Sequence, residues 1–135
     1  MALDFGLKRT GIAVTDDYQI IASGLTTIET KDIFKFLIEY TKKNGVECIV
    51  VGDPKSLSNQ PIEMTEHANI FAGKLKVLFP KIKIERLDER FTSKMAFQTM
   101  IDGGLGKKAR KNKALVDEIS ATILLQNFME IYKPK

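Results

Sequence analysis

Apolar residues recur along this chain with two different periods, and the change of period divides it into two parts. Met1-Ala2-Leu3 and Ile12-Ala13-Val14 are short apolar runs, and residues 18–28 scatter Ile20, Ile21, Leu25 and Ile28 among serine and threonine. This composition predicts three strands joined by short turns, an antiparallel meander. Thr30 then offers a helix cap, and Ile33, Phe34, Leu37, Ile38 and Tyr40 follow at helical spacing as far as Asn44-Gly45. Residues 46–51, Val-Glu-Cys-Ile-Val-Val, form a nearly continuous apolar run of strand length, the mark of a central strand covered on both faces.

Helices dominate the rest. Pro61 suits a helix start, and Met64, Ala68, Phe71, Ala72, Leu75, Leu78 and Phe79 repeat at helical intervals up to Pro80. Ile82, Ile84 and Leu87 mark a fifth strand that delivers Asp88-Glu89-Arg90 at its end, and Thr92 or Ser93 can cap a short helix through Ile101. A last helix is predicted over residues 116–132, with Asp117, Ala121, Leu124 and Phe128 on one face. Asp117 would then sit in its first turn, where the helix dipole and free N–H groups tolerate negative charge. The order of elements predicts an α/β fold.

At 135 residues, with no composition break, repeat or low-complexity tract, the chain is expected to form one domain over residues 1–135. Its single cysteine, Cys48, lies inside an apolar run, which excludes an intramolecular disulfide framework and fits a reducing compartment. No apolar run reaches the roughly 20 residues of a membrane span, and the N-terminus lacks a signal-peptide pattern, so a cytoplasmic protein with no membrane partner is expected. The net charge of +4 is mild, but Lys107, Lys108, Arg110, Lys111 and Lys113 crowd together after Gly103, Gly104 and Gly106. Such a cluster is either the footprint of a polyanion site or a solvated loop.

Candidate chemistry gathers at strand ends. Asp4 closes the first apolar run and is followed at once by Gly6, Lys8, Arg9 and Gly11, a glycine-bracketed basic turn suited to holding a phosphate near a metal, or an ordinary turn with solvated charges. Asp53 follows the fourth strand, Asp88 and Glu89 end the fifth, and Asp117 opens the final helix. In open α/β sheets functional groups collect beyond the carboxyl ends of strands, near the point where strand order reverses. Carboxylates meeting there repel one another, and a hard divalent cation relieves that repulsion. Two such ions about 4 Å apart stabilise both the entering and the leaving oxygen of a phosphoryl displacement. His67 has no second histidine or cysteine at ligand spacing and reads as structural.

Four segments, Asp4-x-Gly6-x-Lys8-Arg9-x-Gly11, Val51-Gly52-x-Pro54, Asp88-Glu89-Arg90-x-Thr92 and Val116-Asp117-x-x-Ser120-Ala121, stand in order over almost the whole chain. Together they resemble the YqgF (RuvX) family, relatives of Holliday junction resolvases. The resemblance implies an RNase H-like fold: a five-stranded mixed sheet with strands one to three antiparallel, strands four and five parallel to strand one, and helices on its flanks. It implies a cytoplasmic nuclease using Mg²⁺ or Mn²⁺, acting on structured RNA such as the 5′ end of pre-16S rRNA or on branched DNA, as a monomer or homodimer. The metal ligands and catalytic residues it implies are Asp4, Glu89 and Asp117, with Asp88 as a helper or a turn residue. Lys8, Arg9 and the basic cluster are assigned to phosphate, and Arg90 contacts substrate or pairs with Glu89 or Asp88. Asp53, where the family pattern is apolar, is either a fourth ligand or a cap on the Pro54 turn. Met1 stands only three residues before Asp4, so the natural start is expected to lie a few residues earlier.

Overall fold

The computed structural model describes residues 1–54, 62–88 and 112–132. Three strands come first, β1 (Ala2–Phe5), β2 (Arg9–Thr15) and β3 (Ala22–Glu29). A 3₁₀ turn (Thr30–Asp32) leads into α1 (Ile33–Lys43), and β4 (Cys48–Asp53), α2 (Glu63–Leu78), β5 (Lys83–Asp88) and α3 (Lys113–Ile131) follow. The strands form one sheet in the order β3-β2-β1-β4-β5. β2 is antiparallel to both β1 and β3, whereas β4 runs parallel to β1 and β5 parallel to β4. The expected mixed sheet is therefore present, and strand order reverses at β1 and β4.

Each face of the sheet carries its own core. On one side Leu3, Ile12, Ile49 and Val51 meet Ile33 and Leu37 of α1 and Phe71 and Leu75 of α2. The Phe5 and Phe71 rings stack there with centroids 4.5 Å apart. On the other side Ala2, Ala13 and Val50 meet Ala121, Leu124 and Leu125 of α3. Small residues on this second face let a helix backbone come close to the sheet. At Gly11 the approach is so close that a Cβ would overlap the Asp117 carbonyl.

Four local features depart from the expected pattern, each for a visible reason. β3 starts at Ala22 rather than at Tyr18, because Asp16 folds residues 16–21 into a turn, its Oδ1 accepting the N–H groups of Ile20 and Ile21 at 2.7 and 2.8 Å. Thr30 does not cap α1; its hydroxyl donates to the Gly6 carbonyl at 2.6 Å and tethers the β1–β2 turn. α2 begins at Glu63, with Thr65 Oγ1 accepting the Ile62 N–H at 3.0 Å. α3 starts earlier than expected, because Asn112 Oδ1 accepts the Leu115 N–H at 3.2 Å and caps the helix ahead of Lys113. Pro61 and the short helix expected up to Ile101 lie outside the described residues. Among the described residues no helix is long and apolar enough to cross a membrane.

Candidate active site

Asp4 lies near the carboxyl end of β1, directly opposite Gly11 of β2 in the antiparallel register. Side chains alternate along a strand, and Ala2 belongs to the α3 core while Leu3 belongs to the other, so Asp4 and Gly11 share the α3 face. Gly11 abuts the backbone of Asp117. The missing side chain at Gly11 thus lets α3 carry Asp117 up to the face that bears Asp4. Thr27, paired with Gly11 from β3, anchors the start of the same helix through a 2.6 Å bond from its hydroxyl to the Ala114 carbonyl.

Arg9 completes the arrangement. Two residues before Gly11 on β2, it points to the same face, and its Nε donates to Asp117 Oδ2 at 3.0 Å. The pair is partly exposed, with side-chain accessibilities of 36% and 24%, so the remaining guanidinium surface reaches solvent. Asp117 lies in the second turn of α3 rather than the first, since the helix begins at Lys113. Its charge is met by Arg9 in place of the helix N-terminus. The Gly6 turn also has a steric basis: a Cβ there would stand 2.7 Å from the Arg9 carbonyl oxygen.

The strand-end acids divide between the two faces. Asp53 and Asp88 oppose each other in the parallel β4–β5 register. Alternation places them with Val51, Ile84 and Arg86, on the α2 side, away from Asp4 and Asp117. Arg86 Nη2 stands 3.6 Å from Asp53 Oδ1. The same guanidinium donates to the Val51 and Gly52 carbonyls at 3.2 Å each and to Asn69 Oδ1 of α2 at 2.7 Å. Asp53 is thereby tied into a β4–β5–α2 linkage.

Of the other expected site residues, Lys8 is exposed on the β1–β2 turn and Lys113 is the exposed first residue of α3. Glu89, Arg90, Lys107, Lys108, Arg110 and Lys111 lie outside the described residues. Among the described residues no group of three or more His, Cys, Asp or Glu side chains stands ready for a metal. Asp4 and Asp117 supply a hard oxygen donor set, which suits Mg²⁺ or Mn²⁺, since such ions are often held by one or two carboxylates with water and phosphate oxygens. Arg86 and the close approach at Gly11 were not anticipated. Arg86 carried a signal, for it falls on the strand period of Ile84 and so puts a charge on an apolar face.

The RuvX family, described as Holliday junction resolvase, matches residues 1–131. The chain belongs to that family. A RuvX relative from Flavobacterium psychrophilum is 57% identical over 129 residues, spanning 96% of this chain and 94% of its own length. Relatives from Christiangramia forsetii, 54% identical over 129 residues with 96% of each chain covered, and from Phocaeicola vulgatus, 53% identical over 133 residues with 98% and 96% covered, are equally complete matches. All three bear the provisional name pre-16S rRNA nuclease.

Proposed function

We propose that this chain is a divalent-metal-dependent nuclease that hydrolyses phosphodiester bonds of structured RNA, acting in 5′-end maturation of pre-16S rRNA. The observation that carries the reading is the convergence of Asp4 and Asp117 on one face of the sheet at the carboxyl end of β1, with Arg9 bonded to Asp117. Glu89, next in sequence after the last residue of β5, is the third acid of the proposed site. Family membership supports nuclease chemistry, and the names of the relatives support an RNA substrate. The reading treats residues 1–135 as one cytoplasmic domain.

In this reading Asp4, Glu89 and Asp117 hold Mg²⁺ or Mn²⁺. The bound ions supply Lewis acidity at the phosphodiester and lower the cost of activating water, as in two-metal phosphoryl transfer. Arg9 holds the Asp117 carboxylate through Nε and offers its remaining N–H groups to a phosphate oxygen. Lys8, Arg90, Lys107, Lys108, Arg110, Lys111 and Lys113 grip the flanking backbone, so binding weakens as salt rises.

Purified protein incubated with labelled precursor RNA and with four-way junction DNA in Mn²⁺ tests the assignment. Asp4→Asn keeps shape and removes charge, and is expected to abolish scission while leaving the thermal unfolding profile nearly unchanged. Cleavage by Asp4→Asn at the parental rate would end the reading. Salt-sensitive RNA association without scission in any metal would instead identify a binding protein of ribosome assembly. Preferential cutting of the junction would identify a resolvase, which needs two active sites and hence a dimer.

A further inference from the structure

The outward side of α2 breaks the amphipathic rule that its inward side obeys. Ala68, Phe71, Ala72 and Leu75 are buried toward the sheet. Glu66, Ile70, Gly73 and Val77 recur every three or four residues on the opposite side and form one solvent-facing stripe. Ile70 is 51% exposed, and Val77, in the last turn, is 83% exposed. A solvated helix carries polar residues there, and apolar ones set in line mark a contact surface. Asp88 and Asn112, the described residues that flank 89–111, stand toward the opposite pole from Val77.

Gly73 is the second observation. It lies inside α2, where the helical backbone has no need of glycine and is weakened by it. A Cβ at this position would meet nothing within 4 Å, so packing inside the chain does not call for glycine either. Gly11 differs, because the Asp117 backbone fills the space its side chain would take. What bare backbone between Ile70 and Val77 permits is the close approach of another body.

The stripe is complementary to itself. Glu66 stands at its start, and Lys81, just past Pro80, stands beyond its end, both exposed. Turned end for end about the Gly73–Lys74 peptide, the stripe sets Ile70 against Val77 and Glu66 against Lys81. We propose that this face of α2 joins two copies of the chain, with the helices antiparallel and closest at Gly73, Ile70 of each copy covering Val77 of the other, and Glu66 paired with Lys81 at both ends. One helix pair of this length buries less than a standard interface, so the dimer is weak and concentration-dependent. α2 and Asp4 lie on opposite faces of the sheet, so the two candidate sites point away from each other and both stay open to substrate.

Sedimentation equilibrium of the full chain reads the association. A reversible monomer–dimer equilibrium is expected, unchanged by Asp4→Asn. Val77→Glu alters an exposed position and should raise the dimer Kd roughly tenfold or more. Gly73→Gln places a better helix former where there is room for it, so it should unfold no earlier than the parent and still dimerise more weakly. Glu66→Lys and Lys81→Glu should each weaken association by roughly fivefold. The double variant has the parent's net charge and restores both pairs, so it should dimerise as the parent does. Those two residues stand about 20 Å apart along one chain, so the recovery can come only from pairing between copies. A parent that stays monomeric up to about 0.5 mM would leave the stripe to another occupant and overturn the proposal. So would a dimer that survives Val77→Glu, or a double variant no tighter than the single ones. These readouts do not depend on cleavage, so they stand apart from the test of nuclease activity.

Discussion

The two faces of the sheet solve different problems with different residues. Under α1 and α2 the contacts are large: Leu3, Ile12, Ile49 and Val51 against Ile33, Leu37, Phe71 and Leu75. Under α3 the sheet side is small near the site, with Ala2, Gly11 and Ala13, and it meets Ala121 beside the larger Leu124 and Leu125 of the helix. Large side chains bury more apolar area per residue and contribute most of the stability. Small ones give up area for proximity, and that proximity sets Asp117 over the face that bears Asp4. One face is built to hold the fold together, the other to fix a distance.

That contrast can be broken on its stable side first. Leu37→Ala and Leu75→Ala each empty a fully buried position and should cost about 2–5 kcal/mol in chemical denaturation, with cleavage per folded molecule unchanged. On the other face Gly11→Ala forces a methyl group onto the Asp117 backbone, and overpacking of this kind costs about 1–3 kcal/mol. Its effect on cleavage should nonetheless exceed that of Leu75→Ala. If Gly11→Ala cleaves normally, the closeness of α3 is a packing detail and nothing more.

Smaller effects sharpen the picture. The Arg9–Asp117 pair is partly exposed and should contribute only ~0.5 kcal/mol to stability. Arg9→Gln should weaken RNA binding and flatten its salt dependence by about one ion, while Arg9→Lys restores most of the slope. The smallest change concerns the β2–β3 turn. Because Asp16 titrates below its ordinary value of 3.8, its contribution is complete above that pH and is lost as pH falls through the lowered folded value. Asp16→Asn should remove this acid sensitivity, seen as a flatter dependence of the unfolding midpoint on pH below about 4.

Much of this was legible in the order of residues. The meander, the central β4 run and the amphipathic α2 all follow from period and breakers, because burial on one or two faces imposes those patterns directly. Boundaries were harder. Tyr18, Ile20 and Ile21 resemble strand residues, yet a single carboxylate at Asp16 binds two N–H groups and turns the chain there, so local side-chain bonding outweighed strand propensity. The early start of α3 is set by Asn112, a side-chain cap that stands ahead of the apolar pattern and so leaves no mark in its period. The candidate site was legible as a set of acids but not as a sorting of them. Asp53 and Asp88 stand across from each other through parallel register, and that register depends on pairings between distant segments that no local pattern encodes. Nor did any local signal mark Gly11 as a contact with a helix more than a hundred residues later.

The bond from Thr30 to the Gly6 carbonyl has a mechanical consequence. It ties the turn bearing Lys8 to the entrance of α1, while Arg9, at the other side of that turn, is tied to α3. A load on the turn would therefore be shared between helices on opposite sides of the sheet, which makes the turn a braced strut rather than a hinge.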